Sequence, residues 1–249
     1  MTMEEILFGI EKLEAVKELK KLMASYMDGR NWVHSKSASC DLPWGAYDGF
    51  EGFLKCYRTD HGYCMDDEGN PLPDPEDEEP VLGLLCPHTY STPVIEVAED
   101  GQTARGVWFS PGSENFGLGD NISDDRDRGI RSWGWTKYAF DFKKVEGVWK
   151  VWHYELFAVF LTPFETCWTH VRPYDGNSGI TTTQDRPPIK EPYDWSIDTV
   201  YPYNHPYPPE PYRTWDDVHP GYGYLEEDGS LVERVIENHT FVQDRKRVD

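Results

Sequence analysis

Few side chains in this sequence look able to move protons, and they are widely spaced. His88, in LLCPHTYSTP, carries an imidazole suited to act as general base near neutral pH, or as acid once protonated. Tyr138 and Tyr154 carry phenols that would donate to a developing oxyanion, or protonate a departing hydroxyl, without burying a charge. Each has a structural reading beside it: a strand-edge histidine bonds backbone, and tyrosine packs well in sheets. Asp28, in MDGRNW, precedes a glycine at a helix end, where aspartate often satisfies local amides. His153 and Glu155 lie two apart in one run with Lys137 opposite Glu155, but that pattern places them on the outward face, where a structural role is favoured.

The elements that must hold these groups follow from periodicity. Ile6, Ile10, Leu13, Val16, Leu19, Met23 and Tyr26 predict one apolar stripe on a helix over residues 4–28, stopped at Asp28-Gly29. GAYDGFEGFLKCY suggests a short second helix. Runs over 88–97 and 103–110 flank Asp100-Gly101 and predict a hairpin with Glu96 facing Arg105 and Val94 facing Val107. A second, longer hairpin over 133–144 and 148–161 turns at Val145-Glu146-Gly147. With Lys144 opposite Val148, Tyr138 would face Tyr154 and Phe140 would face Trp152. Its apolar face then holds Tyr138, Phe140, Phe142, Trp152, Tyr154 and Leu156; Lys137, Asp141, His153, Glu155, Trp135 and Val151 lie on the other. A last pair is expected around Asp228-Gly229.

Composition excludes several partners. The 249 residues carry 45 Asp plus Glu against 24 Lys plus Arg, and a net charge of −21 repels phosphate backbones and anionic lipid surfaces. No run approaches a membrane span, and the acidic N-terminus lacks a signal peptide's basic start, so a soluble cytoplasmic protein is expected. The five cysteines (Cys40, Cys56, Cys64, Cys86, Cys167) form no CxxC and are expected to be reduced thiols. GxGxxG, GxxxxGK[ST] and HExxH are absent, and His34, His61, His88 and His153 are scattered, so neither cofactor nor metal is expected. A metal site assembled only in space would leave no such trace. The stretch 60–80 holds eight acids between Asp66 and Glu79 and reads as a solvated loop. Eleven of the 19 prolines fall within 163–220, interleaved with tyrosines, which predicts an extended surface segment rather than interior strands.

A long N-terminal helix closing in Asp-Gly, then PVIEVAEDGQTARGVW, then KYAFDFKKVEGVWKVWHY, resembles the SnoaL-like branch of the nuclear transport factor 2-like superfamily. Tyr138, Gly147 and Trp149 fall where that pattern places them, and the resemblance runs over roughly residues 4–160. It implies an α+β fold over residues 1–162: a curved mixed sheet wrapped by N-terminal helices into a cone that receives a small molecule. Residues 163–249 would be an extension wrapping the domain or a partner subunit. Relatives commonly pair through the convex sheet, which implies a homodimer or larger homo-oligomer.

Members include dehydratases, cyclases, isomerases and lyases that remove formaldehyde from lignin-derived diaryl compounds, so fold alone leaves the chemistry open. In the dehydratase branch the first helix carries a Tyr and, five residues later, an Asp, with a strand His reaching the same cavity. Asp28 matches that Asp, whereas Met23 stands at the Tyr position and Tyr26 is the nearest phenol. His88, four residues before Thr92 and on the same face by parity, is the nearest counterpart of the strand His. The resemblance thus implies His88, Asp28, Tyr26 and Tyr138 as catalytic groups, with Tyr90, Trp44, Trp108, Trp152 and Tyr154 lining the cone. The implied activity is a cofactor-independent lyase, dehydrating or formaldehyde-releasing, acting on a hydroxylated aromatic or polycyclic molecule. The alternative is a non-catalytic binding or assembly module.

Overall fold

The computed structural model describes residues 2–25, 29–43, 45–60, 84–85, 87–116, 131–163, 167, 169, 184–186, 206–218, 224–226, 228 and 230–232. The expected acidic loop, apart from Asp60, and the positions Tyr26, Asp28 and Trp44 lie outside them.

Helix α1 spans Met3–Leu22 and continues as a 3-10 turn over Met23–Ser25. Thr2 opens it with a reciprocal cap: its hydroxyl accepts from the Glu5 amide at 3.2 Å, and its own amide donates to the Glu5 carboxylate at 2.7 Å. The predicted stripe holds only in the second half. Ala15, Leu19 and Met23 are buried, whereas Ile6, Ile10 and Leu13 face outward. At about 100° per residue the inward side is instead Phe8, Ala15, Leu19 and Leu22, so the helix is apolar on two sides.

Strand β1 (Ser39–Leu42) pairs antiparallel with β2 (Gly45–Asp48), and helix α2 (Gly49–Leu54) runs into a π-helical turn over Lys55–Asp60. The expected second helix is therefore shorter, because GAYD is taken by a strand. Strands β3 (Leu84–Leu85), β4 (Ser91–Val97), β5 (Thr103–Phe116), β6 (Arg131–Val145) and β7 (Val148–Pro163) complete a sheet ordered β2-β1-β7-β6-β5-β3, with β4 also paired to β5. β1 joins β7 in parallel, so the sheet is mixed. A small hairpin of β8 (Tyr224–Leu225) and β9 (Leu231–Val232) surrounds Asp228 as expected.

The first hairpin has the predicted register, with Glu96 opposite Arg105 and Val94 opposite Val107. The second does not. Val145 pairs with Val148 and Lys144 with Trp149, because Glu146 (φ 51°) and Gly147 (φ 83°) make a two-residue turn with both central residues left-handed. A bulge between Asp141 and Phe142 then shifts the register once more at Trp152. Phe140 therefore faces Tyr154, Tyr138 faces Leu156, and Lys137 faces Phe157 rather than Glu155. Beyond the bulge His153 lies opposite Asp141, while Val151 is opposite Phe142 on the apolar side. Trp152 is thereby moved off the apolar face on which the sequence pattern placed it.

The core lies between the inner face of this sheet and the helical segments. Trp108, Tyr138, Phe140, Phe142, Val151 and Tyr154 pack with Leu19 of α1, with Met23 of the turn that follows it, and with Trp32, Phe53 and Tyr57. The outer face is equally buried but polar: His153, Asp141, Lys137 and Glu155 are each no more than 3% exposed. Part of its cover is the chain's own residues 206–218. Tyr212 donates to Thr103 at 3.0 Å, its carbonyl accepts from Glu99, and Trp215 packs on Trp152 with ring centroids 4.6 Å apart. At the β2 edge, Arg186 exchanges backbone bonds with Ala46 at 3.1 Å and forks onto Asp48 at 2.8–3.0 Å.

Candidate active site

His88 precedes β4 and makes an isolated antiparallel bridge to Gly112 of β5. Gly112 lets the imidazole lie against the backbone, since a Cβ there would fall 2.3 Å from His88 Nδ1. The ring consequently reaches the inner face. Its Nδ1 lies 3.4 Å from the Tyr138 hydroxyl and 3.4 Å from Ser110 Oγ. When the neutral ring carries its proton on Nε2, the single lone pair of Nδ1 accepts from one of these hydroxyls at a time.

Between His88 and the regular part of β4 the strand carries a bulge. Ser91 to Val94 takes three steps along β4 where Phe109 to Val107 takes two along β5, and Thr92 there takes φ 46°. A left-handed β-branched residue is strained, and the extra residue re-aims the chain between His88 and the regular part of β4.

Tyr138, 4% exposed, is held by other rings. It stacks on Tyr154 at 5.3 Å and meets Tyr90 edge-on at 5.3 Å, while Tyr154 stacks on Phe140 at 4.8 Å. Tyr57 interacts electrostatically with Tyr90, Tyr138, Cys40 and Cys56, and burial pushes its phenol well above the ordinary range. Burial likewise raises Cys40, whose thiol lies 3.8 Å from that of Cys56. These groups are neutral at physiological pH, so the inner face offers hydroxyl donors rather than charges.

Of the residues expected from the sequence, the structure brings together His88, Tyr138, Tyr90 and Tyr154. Trp108 belongs to the same face but deeper, edge-on to Phe140 and Phe142 at 5.7 and 6.0 Å. Trp152 is a correction: it lies on the outer face, donates to Ser37 Oγ at 2.9 Å and sits beneath Lys143 at 4.5 Å. Tyr26, Asp28 and Trp44 lie outside the described residues. Sequence reasoning missed Ser110 and Tyr57, which lack any motif; the only signal for Ser110 is its alternation with Trp108 in β5.

The outer face holds a separate polar chain. Arg105 Nε donates to Asp141 at 3.0 Å, Asp141 lies 3.3 Å from His153 Nδ1, and His153 Nε2 donates to the Ser37 carbonyl at 2.9 Å. His153 is fully buried beneath Trp152 and Trp215, which makes it a satisfied core histidine rather than an accessible base. Burial pushes the Lys137 ammonium on this face down to about 8. Among the described residues no three His, Cys, Asp or Glu side chains cluster in a way that could hold a metal, and no helix is long and apolar enough to cross a membrane.

The chain thus sets a helix over a mixed sheet, with an imidazole and phenols on the sheet's inner face. The sequence model of the SnoaL-like domain family matches residues 10–155. The chain belongs to this family. No functionally curated protein matches it. Similar solved structures include the hexachlorocyclohexane dehydrochlorinase LinA-type3 from Novosphingobium barchaimii, at 15% identity and a TM-score of 0.44 over 66% of this chain and 99% of that one. Another is a nuclear transport factor 2-like superfamily protein from Salmonella enterica, at 14% identity and a TM-score of 0.41 over 66% and 99%.

Proposed function

We propose that this chain is a cofactor-independent lyase acting on a hydroxylated aromatic compound, with His88 as base and Tyr138 as acid. The observation that supports this reading is the convergence of His88 Nδ1 with the Tyr138 hydroxyl at 3.4 Å, on a face lined by uncharged phenols. In a dehydration, His88 Nδ1 takes a proton from carbon and the C–H electrons form the new double bond. The neighbouring C–O bond breaks, and the hydroxyl leaves as water with the Tyr138 proton. The proton on His88 then returns to the tyrosinate beside it, restoring both groups. In the formaldehyde-releasing variant the same base takes the proton of a hydroxymethyl group as the carbon–carbon bond breaks, and Tyr138 protonates the departing carbon.

Tyr154, Phe140 and Trp108 already pack on one another, so the substrate ring sits nearer His88 and Tyr90 than the bottom of the cone. That same packing favours the second reading, a module that holds an apolar metabolite without converting it. Mass spectrometry of small molecules retained on purification, paired with a panel of hydroxylated aromatics and sterols assayed for water or formaldehyde loss, separates the two. Conversion by the wild type and none by His88→Ala supports the lyase; a retained ligand that is never converted supports binding alone.

A further inference from the structure

Helix α1 uses only one of its two apolar sides inside its own domain. Phe8, Ala15, Leu19 and Leu22 turn inward, whereas Met3, Ile6, Leu7, Ile10 and Leu13 are 69, 37, 52, 47 and 71% exposed. These make up five of the ten exposed large apolar side chains among the described residues. Exposed clusters of this size mark interaction surfaces on a water-soluble domain. The sheet's outer face is the other broad surface, and at Trp152 and His153 it is already covered by Trp215 of the same chain.

We infer that the outer side of α1 is a self-association surface, occupied by α1 of a second copy running antiparallel. The spacing carries the argument. Met3, Ile6, Ile10 and Leu13 follow the 3-4-3 interval of a two-helix seam, a pattern that fits another helix better than a flat surface. A two-fold contact must be complementary to itself. Antiparallel pairing centred on residue 8 places Met3 opposite Leu13 and Ile6 opposite Ile10, so each of the four meets an apolar partner. Gly9, on the flank of the seam, has nothing within 4 Å of a Cβ position, leaving room for close approach near the centre. Two copies would bury on the order of 1,000 Å², the lower bound of a specific interface. The seam itself carries no charge before Lys17, although the chain as a whole is at −21. Repulsion between copies therefore weakens the pair at low ionic strength, and added salt strengthens it.

Light scattering coupled to size exclusion tests this on the full chain. The wild type should run at twice the chain mass at tens of micromolar, with the dimer fraction rising from low to physiological salt. Ile6→Glu with Ile10→Glu should run at the chain mass with unchanged circular dichroism. A monomeric wild type, or a glutamate variant that stays dimeric, overturns the proposal. Should the glutamate variant fail to fold, oxidative cross-linking decides. Ile6→Cys with Ile10→Cys should give a covalent dimer well above the wild-type background, and Ile10→Cys alone should not. Cross-linking by the single variant and not the pair would contradict the antiparallel arrangement.

Discussion

Replacing Gly112 by alanine displaces the candidate base without changing the chemistry of any reacting group. The added Cβ would lie 2.3 Å from His88 Nδ1 and 2.6 Å from Cε1, far inside ordinary contact. The imidazole must retreat by roughly 1 Å to restore van der Waals separation. That retreat removes Nδ1 from both hydroxyls, each of which begins at 3.4 Å. A misplacement of this size costs on the order of 10² in rate. Gly112→Ala should therefore lower kcat about a hundredfold on any substrate the panel reveals, with KM changed much less. Overpacking would lower stability by about 1–3 kcal/mol, a melting shift of several degrees. The effect should vanish in a His88→Ala background, where no ring remains to displace. Wild-type kcat in Gly112→Ala would refute the placement of His88 as base.

Further outcomes follow from the outer face and the sheet edge. Arg186→Ala removes a guanidinium that faces Asp48 at 2.8 Å and the nearly buried Asp41 at 3.2 Å; burial alone would lower that group, yet the two aspartates hold it above its ordinary value. Breaking a partly buried pair of this kind should cost about 2–3 kcal/mol, roughly 5–10 °C in Tm, and a Tm within a degree of wild type would contradict it. Lys137 titrates at about 8 when folded, below its ordinary 10.5, so the unfolded chain binds more protons between those values and stability rises with pH across that window. The destabilisation of wild type relative to Lys137→Met, about 3 kcal/mol at pH 7, should shrink progressively between pH 8 and 10.5 in denaturant titrations. A pH-independent difference would mean that Lys137 is not desolvated as described. Trp152→Phe should leave turnover at the wild-type level, because its indole lies on the outer face; a loss comparable to His88→Ala would return it to the site.

How much could be read from the sequence depended on whether local or long-range pairing set the feature. The Asp100-Gly101 hairpin and its register were legible because alternation and turn chemistry agree over a few residues. The longer hairpin was legible as an element but not in register. The two-residue turn at Glu146-Gly147 shifts every pair by one, and the bulge at Trp152 leaves no trace in a pattern already rich in aromatics. That slip also assigned Trp152 to the wrong face. β1, with sequence SCDL, was invisible because it mixes polar and apolar residues; it is buried on both sides between β2 and β7, and Asp41 meets Arg186, 145 positions later in the chain. The stripe on α1 misled for the opposite reason, since two apolar sides both satisfy helical periodicity and only packing distinguishes them. His88 was legible only as the nearest counterpart, by parity with Thr92, of the strand histidine that the family resemblance implies. Its partner Ser110, and Tyr57, which interacts with Tyr90 and Tyr138, are common residue types without spacing that marks them.

The central claim is that His88 and Tyr138 act as one acid-base unit on the inner face. The most direct test is a double-mutant cycle on turnover with His88→Ala, Tyr138→Phe and the pair, each confirmed folded. Each single change should lose on the order of 10²–10⁴ in kcat, and the double variant should lose little more than the worse single one, because the two groups share one proton. Wild-type turnover in the variant lacking both would contradict the account.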